Sequence, residues 1–298
     1  MSQTSIILVN WNRWSEVETV ARLLTTKPER IHEVIIVDNG SSTPPPFDWR
    51  KLPKTKMIFL DKNYGPCVAR NRGAEIATGK FLFFLDSDAI LSRTALINLE
   101  KRFEVEKDLG IIGARIERGF KSIVDQWIYV NPQQKGPQRF DTYSFSAAGA
   151  MIRADVYRQI GGFFETMYMH NEEVDLSLRV LQAGYRISYD SKAKVYHFPS
   201  HEGREAPGRF WKGMIRNWIW AFFRYYPTGE AYKRSILYSL IYVLKAIKLN
   251  VVPEVLLGIL EGFRERRVRA GEYAKLTPSQ IKHIDELNPR KKIIFGRS

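Results

Sequence analysis

The sequence predicts an α/β protein in which a mostly parallel sheet is flanked by helices and followed by a helical C-terminal region. Over the first ninety residues, short apolar runs alternate with amphipathic stretches, and polar loops follow the runs. This alternation is typical of β-α-β units, in which helices join parallel strands. Residues beyond 200 are aromatic and basic, with helical spacing. We therefore predict one α/β domain at residues 1–200 and a helical region at residues 201–298.

The individual elements follow from the spacing of apolar residues. Runs at residues 6–9, 34–37, 57–60 and 81–85 predict four strands, and residues 16–24 and 67–77 predict two helices. Further strands are predicted at residues 144–152, 185–189 and 193–198. A helix is predicted at residues 173–183, closed by Gly184. Residues 114–142 lack a clear period and are predicted to be irregular loops.

Composition narrows the class of protein. The 298 residues are 44% hydrophobic, which is enough for a folded core. The net charge is +14, and residues 201–298 hold 19 Lys and Arg against 9 Asp and Glu. We therefore expect an anionic partner of the C-terminal region, such as phospholipid, nucleic acid or a phosphorylated acceptor. Cys67 is the single cysteine, so neither an intramolecular disulfide nor a Cys-based metal site is expected.

Targeting signals are not evident in the sequence. The chain opens on a strand-like run rather than on a basic stretch followed by a long apolar one, so we expect no secretory signal. The apolar run at residues 236–244 is much shorter than the ~20 residues that span a bilayer. We expect a cytoplasmic protein, with peripheral attachment to the cytoplasmic face of a membrane as an open alternative.

Two carboxylates follow the buried run Phe81-Leu82-Phe83-Phe84-Leu85. In a parallel sheet, ligands bind beyond the carboxyl ends of the strands, where Asp86 and Asp88 would lie. A divalent Mg or Mn ion prefers carboxylate oxygens and can neutralise a leaving diphosphate. An isolated Asp-x-Asp is commonly a solvated turn, but its place after five apolar residues favours a metal site.

Two further strand-end residues have open alternatives. Asp38 can accept the imide N–H of a pyrimidine base, or it can form an Asx turn with Asn39 and Gly40, and both can hold at once. His197 ends a strand-like run and is either a third metal ligand or a structural residue. The spacing does not decide between the two for His197.

Three acids lie within four residues at the predicted start of a helix. Glu172, Glu173 and Asp175 could supply a general base that takes the proton from an acceptor hydroxyl. Alternatively, acids in a first helical turn interact favourably with the helix dipole, Asn171 is a suitable N-cap, and Asp175 can pair with Arg179. Three acids exceed what capping requires, so a functional role is favoured for one of them.

Taken in order, these segments resemble the inverting glycosyltransferases of family 2, which have the Rossmann-like GT-A fold, and within them the rhamnosyltransferase-like members. The matching segments are residues 5–12, 37–41, 63–65, 69–71, 84–88, 161–163, 172–176 and His197. The resemblance implies a nucleotide-sugar donor, with UDP- or dTDP-linked sugars favoured, and a divalent Mg or Mn cofactor. It also implies a glycan or lipid-linked acceptor in cell-surface polysaccharide or glycolipid assembly.

The resemblance also implies roles for individual residues. Glu173 would be the catalytic base, although the family often has Asp at that position, and Glu172 is the alternative. Among the other residues, Val9, Trp11 and Asp38 would hold the base and ribose; Asn63, Gly65 and Asn71 would line the donor pocket; and Asp86, Asp88 and His197 would face the metal and diphosphate.

Residues 209–226 interleave aromatic and basic side chains. On a helix, this pattern is typical of a segment in a membrane interface, or of a helix whose aromatic face packs on the catalytic domain. Both interpretations stay open at this point, and the basic excess favours the membrane.

Two other function classes remain as rivals. A nucleic-acid-binding protein would account for the positive charge, but the basic residues lie mostly outside the α/β part and no nucleic-acid signature is present, so no nucleic acid is expected. A nucleotidyltransferase would share the α/β core. The sequence lacks the Gly-rich, basic loop after the first strand that would favour it.

Overall fold

The structure, a computed structural model, describes residues 2–121, 123–124, 138–199, 206–270 and 273–288. Within these residues, nine strands form one sheet and nine α-helices accompany it. The strands are β1 (Thr4–Asn10), β2 (Glu33–Asp38), β3 (Thr55–Phe59), β4 (Phe81–Asp86), β5 (Ala89–Leu91), β6 (Leu109–Arg118), β7 (Arg139–Asp141), β8 (Gly149–Arg153) and β9 (Arg186–His197). The helices are α1 (Trp14–Thr25), α2 (Pro66–Ile76), α3 (Ala95–Val105), α4 (Ala154–Gln159), α5 (Glu172–Gln182), α6 (Pro207–Tyr225), α7 (Thr228–Leu249), α8 (Val252–Ala270) and α9 (Pro278–Leu287).

The sheet has the order β3-β2-β1-β4-β8-β6-β9-β5, with β7 paired to β9. Strands β1 to β4 pair in parallel, β8 runs antiparallel between β4 and β6, and β6 pairs in parallel with β9. The register places Asn10 opposite Asp38 and Val9 opposite Asp86. The predicted α/β fold with a C-terminal helical region is confirmed, and the strand ends meet at one edge as expected.

Each face of the sheet carries its own hydrophobic core, because successive side chains of a strand point to opposite faces. Ile7 and Phe84 pack on one face with α2 and α5, where Cys67 is also buried. Ile6 and Phe83 pack on the other face with α1 and α3. Since both faces are covered, the parallel strands are apolar throughout, which explains why they were recognisable as short apolar runs.

Several strand boundaries differ from the predictions. Residues 114–118 belong to β6 and residues 139–141 form β7, whereas both were predicted to be irregular; residues 125–137 lie outside the described part of the chain. β8 begins only at Gly149, because residues 147–148 form a turn in which the Gly149 N–H donates to the Ser146 carbonyl. The two predicted runs near residues 185–198 are one strand, β9, interrupted by a bulge where its pairing with β6 shifts register.

Helix α6 packs inside the protein, so the membrane interpretation of residues 209–226 is wrong for this segment. Trp218, Trp220 and Phe222 are buried in the core that also contains α5 and the sheet. Arg224 is buried as well, with its guanidinium 3.5 Å from the centre of the Phe164 ring. Among the helices described, none is both long enough and apolar enough to cross a bilayer. The domain boundary at residue 200 stays a prediction.

Replacing Trp218 by Ala should therefore destabilise the fold. The Trp218 side chain is 6% exposed and its ring stacks on Phe222 at 5.3 Å, so the substitution leaves a large cavity. We expect a loss of about 3–5 kcal/mol in the free energy of unfolding, measured by urea denaturation. Trp11, which is 42% exposed, is the control: Trp11→Ala should change the unfolding midpoint little. Equal stability of the two variants would contradict the placement of α6 in the core.

Candidate active site

The ends of β1 and β2 hold Asp38 in a network of hydrogen bonds. The Asn10 Nδ2 group donates to Asp38 Oδ1 at 3.1 Å, and the Ser41 hydroxyl donates to the same oxygen at 2.5 Å. The Ser41 N–H also donates to Asp38 Oδ2 at 3.3 Å, so this side chain caps its own loop, although the bond reaches the third residue on and not the second as in an Asx turn. Val9 is half-buried beside this turn, while Trp11 is exposed. Their contact with a base and ribose stays a prediction.

Asn63 and Gly65 lie at the end of the next strand, against Tyr168 from a distant loop. Asn63 Oδ1 accepts hydrogen bonds from the Gly65 N–H at 2.9 Å and from the Tyr168 hydroxyl at 3.3 Å. Gly65 has a φ of +90°, and a Cβ there would lie 2.5 Å from the Tyr168 ring. Glycine is therefore required both by the backbone conformation and by the aromatic ring packed on it.

Asn71 uses its side chain to hold the loop before α5. Its Nδ2 group donates to the carbonyl of Phe163 at 2.9 Å and to Glu165 at 3.0 Å. Its Oδ1 atom accepts from the Phe163 N–H at 2.9 Å and from the Tyr157 hydroxyl at 2.6 Å. These bonds favour a positioning role for Asn71, and the predicted contact with a donor stays a prediction.

Asp86, Asp88 and His197 form a cluster suited to a metal ion. One possible ligand atom from each lies within 4.8 Å of the others, which is the one such cluster among the described residues. The antiparallel pairing of β5 with β9 sets Ala89 opposite His197 and so brings the imidazole to the end of β4. His197 Nε2 lies 3.2 Å from Asp88 Oδ1. Two carboxylates and an imidazole match the ligand preferences of Mn²⁺ and, for the carboxylates, of Mg²⁺.

The two carboxylates of this cluster have different electrostatic surroundings. Desolvation raises the pKa of Asp86, aided by the charge of Asp88 and opposed by that of Arg70. Burial also acts to raise the pKa of Asp88, but the hydrogen bond and charge of His197, together with the charge of Arg13, outweigh it and lower that pKa. Arg13 Nη1 lies 2.8 Å from Asp88 Oδ2. Asp88 is thus held as an anion.

Arg70 connects this cluster to the start of α5. Its Nη1 atom lies 3.1 Å from Glu172 Oε1 and its Nη2 atom lies 3.5 Å from Asp86 Oδ1. Burial acts to lower the pKa of Arg70, but the charges of Glu172 and Asp86 outweigh it and raise that pKa. The sequence pattern alone does not indicate a role for Arg70 or Arg13. Arg70 lay within one of the matching segments, but its partner Glu172 is 102 residues away.

Glu172 and Glu173 differ in what they can reach. Glu172 is buried and occupied by its ion pair with Arg70, whereas Glu173 is half-buried and partly open to solvent. The Ala147 N–H donates to Glu173 Oε1 at 3.2 Å and fixes the side chain to the sheet. Desolvation, reinforced by the charge of Glu172, raises the pKa of Glu173 to about 8. A carboxylate with such a proton affinity is suited to general base catalysis near neutral pH.

The loop before α5 is strained and is held by α6. Tyr168, His170 and Asn171 all have φ between +59° and +77°, which costs free energy for residues other than glycine. The Asn217 Nδ2 group donates to the carbonyls of Met169 at 2.9 Å and His170 at 2.7 Å, and approaches that of Met167 at 3.2 Å.

The side chain of Asn171 does not cap α5, as one alternative had it, but donates to the carbonyl of Met214 in α6 at 2.8 Å. Gly213 makes room for the same loop, because a Cβ there would lie 2.7 Å from the His170 ring. Three residues of α6 spaced by one turn or less therefore shape the segment that leads to Glu172 and Glu173.

Asp175, the third acid of the sequence cluster, is fully buried and structural. Its Oδ2 atom lies 2.6 Å from Arg179 Nη2, as the i,i+4 alternative predicted. Its Oδ1 atom accepts from the Tyr225 hydroxyl at 2.7 Å and lies 3.1 Å from Arg224 Nε. Asp175 thus joins α5 to α6.

The sheet and its flanking helices have the GT-A fold. Residues 5–161, more than half of the chain, match the family described as glycosyl transferase family 2. The chain belongs to this family. This confirms the resemblance to family 2 glycosyltransferases and favours that class over the nucleic-acid-binding and nucleotidyltransferase alternatives, while the inverting mechanism and the rhamnosyltransferase-like subtype stay predictions.

Characterised and solved relatives agree with the assignment. Over 175 residues the chain is 30% identical to the pre-mycofactocin glycosyltransferase of Mycobacterium tuberculosis, covering 55% of this chain and only 37% of that protein. Over 208 residues it is 23% identical to the glucosyl-dolichyl phosphate glucuronosyltransferase of Haloferax volcanii, covering 60% of this chain and 63% of that protein.

Two solved structures share the fold. The structure of S. aureus TarS 1-349 in complex with UDP-GlcNAc has a TM-score of 0.63 at 17% identity, covering 98% of this chain and 85% of that one. The mannosyltransferase PcManGT from Pyrobaculum calidifontis, in complex with GDP-Man and Mn²⁺, has a TM-score of 0.58 at 14% identity, covering 99% and 88%. At these identities the likeness shows the fold alone.

Asn217→Ala should slow sugar transfer without abolishing donor binding. The substitution removes the amide group that donates hydrogen bonds to three carbonyls of the strained loop, so the start of α5 would shift. Small displacements of reacting groups are costly, and we expect kcat to fall about 10- to 100-fold with a nearly unchanged KM for the donor. Steady-state kinetics would measure the split.

Ser235→Ala is the matched control, because Ser235 is a buried polar residue of α7 whose hydroxyl has no hydrogen-bond partner among the described residues. Its kcat should equal that of the wild type. A loss of stability in Asn217→Ala with a normal kcat would show that Asn217 acts only in folding.

Proposed function

We propose that this protein is an inverting, metal-dependent glycosyltransferase that moves a sugar from a nucleotide-diphosphate donor to an acceptor hydroxyl. The observation that carries the proposal is the link through Arg70 between a metal-type cluster and a pair of glutamates. Arg70 contacts both Asp86 and Glu172, so the two halves of the site lie at one edge of the sheet. A displacement at an anomeric carbon needs both a stabilised leaving group and a proton acceptor.

The donor is proposed from the relatives and from the strand ends. TarS binds UDP-GlcNAc and PcManGT binds GDP-Man with Mn²⁺. In this chain, Asp38 lies at the end of β2 and is held by hydrogen bonds from Asn10 and Ser41. Trp11, close to Asn10 in sequence, has an exposed indole. A rigid carboxylate can accept the imide N–H of uracil or thymine, so a UDP- or dTDP-linked sugar is favoured.

Asp86, Asp88 and His197 would hold a divalent Mg or Mn ion. When bound, the ion would neutralise negative charge that develops on the leaving diphosphate. Arg13 and Arg70 add two fixed positive charges at the same place, each now paired with one of the two aspartates. With the ion bound, these three cations would together offset the charge of the aspartates and of the leaving diphosphate.

Glu173 is proposed as the catalytic base. It takes the proton of the acceptor hydroxyl, the oxygen forms a bond to the anomeric carbon, and the bond from that carbon to the diphosphate oxygen breaks on the opposite face. One such displacement inverts the anomeric configuration, and the nucleoside diphosphate leaves with the electron pair. Glu172, occupied by Arg70, positions that guanidinium between the two parts of the site.

The acceptor is proposed to be a glycan or a lipid-linked sugar in cell-surface polysaccharide or glycolipid assembly at the cytoplasmic face of a membrane. The Haloferax volcanii relative, whose name specifies a glucosyl-dolichyl phosphate, supports the lipid-linked alternative.

Glu173→Gln should keep donor binding and slow transfer by about 10²- to 10⁴-fold, because it preserves shape and removes the proton acceptor. In the wild type, kcat/KM should fall as the pH drops through the raised pKa of Glu173, near 8 rather than the ordinary 4.5, and the residual activity of Glu173→Gln should lack this limb. The pH dependence of kcat/KM would be measured for both proteins.

Glu172→Gln is the matched comparison. It breaks the buried pair with Arg70, so it should lower the melting temperature. The pH limb should persist but move to lower pH, because the charge of Glu172 helps to raise the pKa of Glu173. Glu173→Gln should not lower the melting temperature, because burial already favours the neutral form of that side chain. If Glu172→Gln loses the pH limb while Glu173→Gln keeps it, the two roles must be exchanged.

Asp88→Asn should reduce activity more than about 100-fold, since losing a metal ligand costs more than losing one of its supporting partners. It should also remove the dependence of UDP binding on Mn²⁺, measured by calorimetry with and without the ion. Asp48→Asn is the control, because Asp48 is an exposed carboxylate that pairs with Arg50 in the connection between β2 and β3. This variant should behave as the wild type. Normal metal-dependent binding by Asp88→Asn would refute the metal site.

A further inference from the structure

Helix α7 presents an apolar stripe to the outside of the protein. We define the α7 stripe as Tyr232, Ile236, Leu240, Leu244 and Ile247, whose side chains are between 39% and 64% exposed. Their spacing of three or four residues places them on one face of the helix. The opposite face of α7 packs inward through Ala231, Ser235, Tyr242 and Ala246. The stripe is therefore an outward face, not a poorly packed part of the core.

Helix α8 shows the same arrangement. Leu256, Leu257 and Leu260 are 46% to 67% exposed, while Val255, Gly258 and Gly262 face inward. Isolated exposed leucines are ordinary on a protein surface, but eight large apolar side chains on the outward faces of two consecutive helices are not. Such a surface needs a partner that removes it from water.

The charges around these residues are segregated. Lys233 and Lys248 flank the α7 stripe, one turn from Ile236 and Leu244 respectively, and both are exposed. On α8, the exposed Arg264 and Arg267 lie one and two turns beyond Leu260 on the same outward side.

Two of the three acids of α8, Glu254 and Glu261, face α6, and the third, Glu265, is half-buried. Glu261 lies 2.6 Å from Lys212 Nζ in α6, and a Cβ on Gly208 of α6 would lie 2.7 Å from Glu254. In α7, the sole acid Glu230 is within 3.5 Å of Lys233 and Arg234. Apolar side chains rimmed by cations, with Glu254 and Glu261 turned inward and Glu230 paired, complement an anionic and apolar partner.

We propose that the outward faces of α7 and α8 dock on the surface of an anionic phospholipid bilayer. The leucines and isoleucines enter the boundary between headgroups and acyl chains, and the lysines and arginines pair with lipid phosphates. Neither helix can span a bilayer, so the attachment is peripheral and reversible. The membrane contact is thus assigned to α7 and α8 and not to α6, whose aromatic side chains are largely buried. It does not depend on the proposed catalytic roles.

The test is sedimentation with vesicles of phosphatidylglycerol and phosphatidylcholine, using the full chain. The wild type should sediment with the anionic vesicles at low salt and be released as salt screens the charges. The triple variant Ile236→Gln, Leu240→Gln, Leu244→Gln should bind at least about tenfold more weakly, because it removes the side chains that insert. Glutamine keeps helix propensity, and all three positions are exposed, so the melting temperature should not change.

The matched control is a triple variant at exposed apolar positions of other helices, Leu23→Gln, Ile97→Gln and Val105→Gln. It should bind vesicles as the wild type does. A second variant, Lys233→Gln with Lys248→Gln, should weaken binding about fivefold per lysine and lower the salt dependence. Transfer to a soluble acceptor without vesicles should be the same for all of these proteins, which separates the docking surface from the active site.

Three results would overturn the proposal. The folded wild type could fail to bind anionic vesicles at low salt, or the α7 triple variant could bind as tightly as the control. Sedimentation velocity could also show a wild-type dimer that the α7 triple variant converts to a monomer, with neither protein binding vesicles. That last result would assign the stripe to a second copy of the chain.

Discussion

The site depends on the ion pairs that the Arg70 guanidinium makes with Asp86 and Glu172. Asp86, Asp88, Glu172 and Glu173 meet at one edge of the sheet, and four carboxylates so close together would repel one another without cations between them. Arg70 is buried and contacts one acid from the end of β4 and one from the start of α5. Because a buried charge is stable only when paired, this cation fixes the separation of the two halves of the site. Arg13 offsets the negative charge of Asp88 in the same way.

The same arrangement gives two adjacent glutamates different properties. Glu172 forms an ion pair with Arg70. Desolvation and the negative charge of Glu172 together raise the pKa of Glu173. The pair is thus one buried ion pair beside one partly exposed acid of raised proton affinity, which is the division expected of a positioning group and a base. Glutamate in place of the aspartate often found in this family lengthens the side chain, and the hydrogen bond from the Ala147 N–H restrains that longer side chain.

Helix α6 joins the C-terminal region to the loop that precedes α5. Asn217 and the carbonyl of Met214 hold a loop whose residues have unfavourable backbone angles, and Tyr225 and Arg224 hold Asp175 on the inner side of α5. A strained segment persists only where its surroundings over-determine it, and α6 supplies those surroundings. Helices α7 and α8 then pack on α6 and leave their own apolar faces outward. Helix α6 therefore stabilises the fold, whereas α7 and α8 expose apolar side chains at the surface.

The sequence by itself determined the parallel half of the sheet and the positions of Asp38, Asp86, Asp88 and His197 at strand ends, because a strand covered on both faces must be apolar and its ligands must follow it. It also indicated the acidic start of α5. Only the tertiary structure decided that Glu172 pairs with Arg70, 102 residues away, and that the Ala147 N–H, in the turn before β8, donates to Glu173. It alone decided which apolar helix is buried. An amphipathic face has the same periodicity whether it meets a protein core or faces outward, so packing, and not sequence pattern, separates α6 from α7.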